Sequence, residues 1–257
     1  MILGICNLSI VPLRLEPSHR SEMVNQLLFA EYFEILEELS DWVYIRMLAS
    51  GYEGWLQVGQ FNLCTDTFHP QECGGYQVVG RAGAQAVSGE KIVKLVPGTT
   101  FSSSFFSKDQ PADAWDYQIS GALRSASLSD FQSEFPELVR FYNFSPYLWG
   151  GRSPYGIDCS GLTQALFVQF GIRLPRDAYQ QAEKGTTVDF ATEIRTGDLA
   201  FFDDEEGRIT HVGVMLDVDR IFHASASVRI DQMDAQGIFR RDWNRYTHKL
   251  RIIKRLF

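Results

Sequence analysis

The chain has 257 residues, 45% hydrophobic and 22% charged, with 24 Lys and Arg against 32 Asp and Glu and a formal net charge of -8. That length allows one to three domains and a full core without help from disulfides or metal, while the ordinary composition excludes disordered, collagen-like and coiled-coil chains. The acidic balance argues against a nucleic-acid scaffold, because phosphate binding needs a basic face to release counterions.

Residues 1–14 have no basic n-region and no sustained apolar h-region, and read as a strand entering a barrel rather than as a secretion signal. No later stretch reaches the roughly 18 consecutive apolar residues of a membrane span. Four cysteines, Cys6, Cys64, Cys73 and Cys159, stand at irregular spacings. They are too few for a disulfide framework and read as free thiols in a reducing compartment. The expectation is a cytoplasmic protein that engages neither membrane nor nucleic acid.

Between Ile5 and Phe61, short apolar runs at 9–13, 26–33, 42–47 and 54–58 alternate with polar turns, the pattern of a small all-β barrel. The words Trp42-Val43-Tyr44-Ile45 and Gly51-Tyr52-Glu53-Gly54-Trp55 resemble a bacterial SH3-like domain. There a W-x-x-V strand, with Ile45 in the last place here, is followed by a G-Y-x-G-W strand. The first domain is therefore expected over 1–63. Residues 64–75 form a loop-like break holding Cys64, His69 and Cys73. Three ligands without a C-x-x-C knuckle fall short of a structural zinc site, so no metal and no other cofactor is expected. Residues 76–79, 91–96 and parts of 101–119 read as further strands, broken near Gly83, Pro97-Gly98 and Pro111. They suggest a second SH3-like barrel over 74–124.

The period changes after that. Leu128, Phe131, Phe135, Leu138, Val139 and Tyr142 recur at spacings of three and four, which predicts an amphipathic helix. Ser129-Asp130 offers a cap at its start, and Pro136 predicts a kink or a split. A third domain is placed over 126–257.

The chemistry lies in residues 147–164, where a Gly- and Pro-rich loop runs into an apolar-periodic stretch (Leu162, Ala165, Leu166, Phe170) that Gly171 and Pro175 end. Cys159 thus falls at a helix N-terminus, where free N–H groups and the helix dipole favour a thiolate nucleophile. Downstream, His211 and His223 lie on two strands joined by the turn Asp217-Val218-Asp219. A hairpin centred on Val218 pairs His223 with Gly213 and puts both imidazoles on one face as diagonal neighbours, an arrangement that a Cys-His-polar triad uses. A one-residue slip in the turn would separate them.

Taken together, Y-L-W-G-G-x-S-x-x-G-x-D-C-S-G-L, L-P-R, G-D-L-x-F-F-D, T-H-V-G-V and H-A-S with V-R-I, spread over residues 147–230, resemble the NlpC/P60 family of papain-like cysteine peptidases. The fold expected is then α+β: a papain-like catalytic domain preceded by two small SH3-like β-barrels. The resemblance implies that Cys159 is the nucleophile, His211 the general base and acid, and His223 the residue that orients His211. The N–H of Cys159 is a ready donor to the developing oxyanion. Asp158 has two open readings, a helix N-cap or, by resemblance, a partner for the free amino end of a stem peptide. Ser160, Tyr147 and Trp149 are candidates to line the same pocket, Trp149 being equally suited to the core. Arg176 and Asp177 read as a structural ion pair, and Ala178 stands where some relatives carry a serine.

The order of two SH3-like domains and one catalytic domain is similar to the γ-D-glutamyl-L-diamino acid endopeptidases, the dipeptidyl-peptidase VI type. These cut L-Ala-γ-D-Glu-diamino acid peptides released from the wall and depend on a free N-terminal L-Ala. A buried ammonium must be paired to be tolerated, and the residues chosen for it are Glu22, with Tyr52 beside it, and Asp158. Glu22 reads equally as a solvated loop acid and Tyr52 as barrel core. The alternative function is an exported peptidoglycan hydrolase whose SH3-like domains bind intact cell wall.

Overall fold

The structure, a computed structural model, describes residues 1–64, 76–102 and 116–257. They form two compact units, Met1–Gln132 with Val168–Ile172 and Ser133–Phe167 with Arg173–Phe257.

The first unit opens with seven antiparallel strands: β1 (Ile2–Cys6), β2 (Ile10–Arg14), β3 (Met23–Leu28), β4 (Tyr32–Leu39), β5 (Trp42–Met47), β6 (Glu53–Gln57) and β7 (Phe61–Leu63). Their order is β3-β2-β6-β5-β4-β1-β7. Alternation explains the packing. β5 buries Val43, Ile45 and Met47 between less buried Trp42, Tyr44 and Arg46, and these join Val11, Leu13, Leu27, Phe33 and Leu56 in one apolar core. Each such side chain contributes about 1.5–3 kcal/mol on burial. The apolar run at 26–33 proves to be two strands: β3 stops at Leu28, Ala30 turns the chain with φ 67°, and β4 starts at Tyr32. The apolar stretch continues past the end of β3 because Phe29 and Ala30 bury into a second cluster with Ile5, Val79, Ala86, Leu95 and Phe101.

That cluster belongs to β8 (Tyr76–Ser88), β9 (Lys91–Leu95), β10 (Thr100–Ser102) and β11 (Gln118–Ser125). β8 pairs with each of the other three. Among the described residues they make a four-stranded sheet, and the barrel-like arrangement is confined to the first seven strands. The break expected at Gly83 is a bend instead. The residue takes φ 74° and β8 continues for 13 residues, with a bulge between Gly121 and Leu123 on the partner strand. The expected break at Pro111 lies outside the described residues.

The predicted helix is present as α1 (Phe131–Tyr142), but its entry differs. Ser127, not Ser129-Asp130, caps a 3-10 turn at Leu128–Asp130, its hydroxyl accepting from the Ser129 N–H. α1 then runs through Pro136 as one helix, losing only the bond that a proline nitrogen cannot donate to the carbonyl four residues back.

In the second unit, a short hairpin of β12 (Arg152–Ser153) and β13 (Gly156–Ile157) leads into α2 (Cys159–Phe167) and then α3 (Ala178–Gln181). The sheet contains β14 (Thr186–Thr187), β15 (Leu199–Asp203), β16 (Ile209–Met215), β17 (Arg220–Ser225), β18 (Ser227–Met233), β19 (Gly237–Arg240) and β20 (Arg245–Arg255). Its order is β14-β20-β15-β16-β17-β18-β19, and β19 also pairs with β20. The chain is thus mostly β with few helices. α2 is buried at every position but Gln164 and packs on β16 and β17. Gly161 permits that depth, since a Cβ there would run into the Gly151 carbonyl.

Candidate active site

β16 and β17 pair in the register that the turn residues predict, with Gly213 opposite His223. His211 lies two residues along on the same face. Its Nε2 is 2.9 Å from His223 Nδ1, and the rings stand edge to face at 86°. Gly213 makes room for this: a Cβ there would lie 2.9 Å from the His223 Cβ and 2.6 Å from Ile221 Cδ1.

Cys159 is the first residue of α2 and 6% exposed. Its sulfur is hydrogen-bonded by the backbone N–H of Val212, the residue after His211, and by that of Ser160. The helix start favours a thiolate, yet burial outweighs it. Burial first, and then Asp158, push the thiol up to about 12 against the opposing pull of the two N–H groups and Arg176. Burial, His248 and His223 hold the His211 imidazolium well below its ordinary range. Thiol and imidazole therefore rest neutral, and the thiolate has to form as the sulfur attacks.

Asp158 is the cap of α2 that one of its two readings required. Its Oδ1 accepts from the Gly161 N–H at 2.7 Å and its Oδ2 from the Gly150 N–H at 2.8 Å. Arg176 donates to both oxygens, at 3.1 and 2.5 Å, and also to the Ser160 hydroxyl at 2.8 Å, which in turn donates to Oδ1 at 3.3 Å. Five donors fill a carboxylate that offers about four lone-pair sites. Arg176 was expected to pair with Asp177. It pairs with Asp158 instead, because Asp177 stands at the N-cap of α3, where its N–H meets the Gln180 side chain.

Tyr147 is half-buried, and its hydroxyl is pushed upward by burial, by Cys159 and by Asp158. Trp149 is 57% exposed, which removes the core reading. Glu22 and Tyr52 belong to the first unit. Glu22 is an exposed residue just ahead of β3, and Tyr52 packs partly buried on the barrel core. Cys6 is buried, and Cys64 is partly buried with its thiol pushed by burial to about 11. His69 and Cys73 lie outside the described residues. Among the described residues there is no cluster of three or more metal-ligating side chains and no helix long and apolar enough to cross a membrane.

Two residues of the site went unread in the sequence. Asp231 on β18 lies with its Oδ2 3.0 Å from His223 Nε2, while Arg229 Nη2 donates to its Oδ1 at 2.8 Å. Burial raises this carboxyl, but His223 and Arg229 more than offset that and hold it at about 2. His248 on β20 stacks on His211 at 4.1 Å and 24°. Burial and His223 pull it down to about 4. Asp231 was findable: the tight turn at Ala226 sets Ile221 opposite Asp231 and His223 opposite Arg229, the same even-step arithmetic that joined the histidines. His248 carried no comparable signal, because β20 reaches β15 only through the long-range order of the sheet.

The model of the NlpC/P60 family matches residues 145–249, and that of the bacterial dipeptidyl-peptidase SH3 domain matches residues 13–61. A γ-D-glutamyl-L-lysine dipeptidyl-peptidase of Bacillus subtilis is 28% identical over 215 residues, 77% of this chain and 71% of the relative. A probable endopeptidase of Haemophilus influenzae is 38% identical over 128 residues, 49% of this chain and 74% of the relative. The crystal structure of an NlpC/P60 family protein from Bacillus cereus superposes with a TM-score of 0.76 at 19% identity, covering 99% of both chains. At that identity it is a likeness of fold.

Proposed function

The chain belongs to the NlpC/P60 family of cysteine peptidases, and from that premise we propose that it hydrolyses the γ-D-glutamyl–diamino acid bond of cell-wall stem peptides with a free N-terminal L-Ala. The observation that carries the catalytic assignment is the Cys159 sulfur set against the Val212 N–H, with the adjoining His211 bonded to His223 at 2.9 Å. Nε2 of His211 is taken by His223, so Nδ1 is the nitrogen left for the thiol.

In this mechanism Cys159 Sγ attacks the carbonyl carbon as its proton passes to His211 Nδ1. The oxyanion is met by the N–H of Cys159, fixed by the start of α2. His211 then protonates the leaving amine, the C–N bond breaks and a thioester remains. A water that gives its proton to His211 attacks the thioester carbon, and the thiol leaves with that proton. Substrate and cleaved bond are taken from the Bacillus subtilis relative, whose name specifies γ-D-glutamyl-L-lysine. The work assigned to the chain is recycling of murein peptides in the cytoplasm, with residues 126–257 as catalytic domain behind SH3-like regions at 1–63 and 74–124.

Asp158, Ser160, Tyr147 and Trp149 are assigned to the substrate. Because the Asp158 charge is balanced by Arg176 and its oxygens are filled by Gly150, Gly161 and Ser160, its part is to hold the loop and helix start that line the site, and the ammonium is left to other acceptors. Glu22 and Tyr52 keep their assignment to amine recognition on sequence grounds alone, and Glu22→Ala tests it. The free-amine requirement is tested by comparing L-Ala-γ-D-Glu-diaminopimelate with its N-acetyl form. Acetylation is expected to lower kcat/KM about tenfold to a hundredfold, the range of one hydrogen bond to a charged group. Equal cleavage of the two would overturn the requirement, and release of peptides from intact peptidoglycan would favour an exported wall hydrolase.

A further inference from the structure

We propose that Asp231 is a positioning residue that sets the tautomers of both active-site histidines, with Arg229 holding its carboxylate in place. The inference rests on the reading of Cys159, His211 and His223 as catalytic. An ionised carboxylate only accepts hydrogen bonds. The proton in the 3.0 Å contact between His223 Nε2 and Asp231 Oδ2 therefore belongs to the imidazole. A neutral imidazole carries a single N–H, so His223 Nδ1 is an acceptor, and the 2.9 Å bond to it is donated by His211 Nε2. His211 Nδ1 is then bare, as a general base must be. With the opposite tautomer of His223, Nδ1–H would donate to His211 Nε2 and move the remaining His211 proton onto Nδ1, where it blocks transfer from the thiol.

The surroundings favour this assignment. Asp231 is 8% exposed and stays ionised because His223 and Arg229 more than offset its burial. Arg229 is itself tied to Asp242 at 3.2 Å, and Arg240 donates to Asp242 at 3.0 Å. The titratable and charged groups around His223 are His211 from β16, Arg229 and Asp231 from β18, Arg240 from β19 and His248 from β20. Of these, Asp231 is the anion. Its distance from the nucleophile, two imidazoles away, makes it an aid to orientation rather than a group that meets substrate.

Long-range proton–nitrogen correlation NMR on the full-length, 15N-labelled protein near neutral pH tests this directly. The expected result is the Nε2–H tautomer for both His211 and His223, with a displaced or mixed pattern in Asp231→Asn. In kinetics with L-Ala-γ-D-Glu-diaminopimelate, Asp231→Asn is expected to lower kcat about ten- to a thousandfold, with KM within about threefold. That is less than the ~10⁴ lost when a triad's own carboxylate becomes an amide, because Asp231 stands one imidazole further out. Asp231→Glu should recover part of the loss, and Asp231→Asn should add nothing in a His223→Gln background. An Nδ1–H tautomer for His223 in the wild type, a kcat within twofold for Asp231→Asn, or fully additive losses would each overturn the proposal. If Asp231→Asn fails to fold, the wild-type spectrum decides alone. Failure of the underlying catalytic reading would look different, as activity persisting in Cys159→Ala or His211→Ala.

Discussion

Asp158 and Asp231 are both buried aspartates paired with an arginine in the same unit, yet their remaining contacts differ in kind. Asp158 spends its other acceptor sites on the backbone N–H groups of Gly150 and Gly161 and on the Ser160 hydroxyl. Its arginine is 2% exposed. Asp231 gives its second oxygen to an imidazole, and its arginine is 22% exposed. A carboxylate closed by backbone donors holds a shape, here the start of α2 that presents Cys159. A carboxylate shared with a titratable ring acts on where protons sit. The same ion pair thus serves architecture in one place and chemistry in the other.

Removing the arginines should separate the two roles. Arg176→Met strands a buried carboxylate and is expected to cost about 3–5 kcal/mol, read by urea unfolding of the full chain. Smaller, at about 1–3 kcal/mol, is the expected cost of Gly213→Ala, which drives a methyl into His223 and Ile221. Its kcat should fall further than its stability does, because the displaced atom belongs to the relay.

Acid should act in two windows. His211, His223 and His248 are held neutral by burial, so below about pH 6.5 the unfolded chain binds protons that the folded chain refuses. Stability is then full above about pH 7 and falls on acidification, by up to about 1.4 kcal/mol per pH unit for each histidine that stays neutral. The carboxyl of Asp231, held at about 2, contributes fully above about pH 4 and loses that contribution as pH falls toward 2. Thermal unfolding across pH 2–8 would show both windows; Asp231→Asn should flatten the lower one and steepen the upper one, because it removes the anion that favours the charged forms of His223 and His248. Arg229→Met should cost less than Arg176→Met, about 1–2 kcal/mol, because the Arg229 guanidinium is partly exposed and His223 still donates to the Asp231 carboxylate, with kcat reduced. Equal destabilisation by Arg176→Met and Arg229→Met would break the contrast.

Much of the site was legible because it is local. Cys159 follows a Gly-rich loop and precedes an apolar helical period, and the turn Asp217-Val218-Asp219 is enough to pair His223 with Gly213. The pKa of Cys159 was not legible, since the helix start is a local feature whereas the burial that outweighs it comes from the surrounding fold. The partner of Arg176 escaped for a similar reason. Asp177 is next in sequence, but the chain turns at α3 and delivers the guanidinium to a residue 18 positions away. In the first unit the barrel strands are readable from alternation, while the break expected at Gly83 is not made because the partner strand carries β8 past it; of the two outcomes expected at Pro136, the split does not occur.

The central claim is that Cys159 performs the bond cleavage. Hydrolysis of L-Ala-γ-D-Glu-diaminopimelate by Cys159→Ala, with circular dichroism and thermal unfolding as fold controls, tests it most directly. No detectable product is expected from a protein that melts like the wild type, whereas turnover near the wild-type rate would contradict cleavage by Cys159.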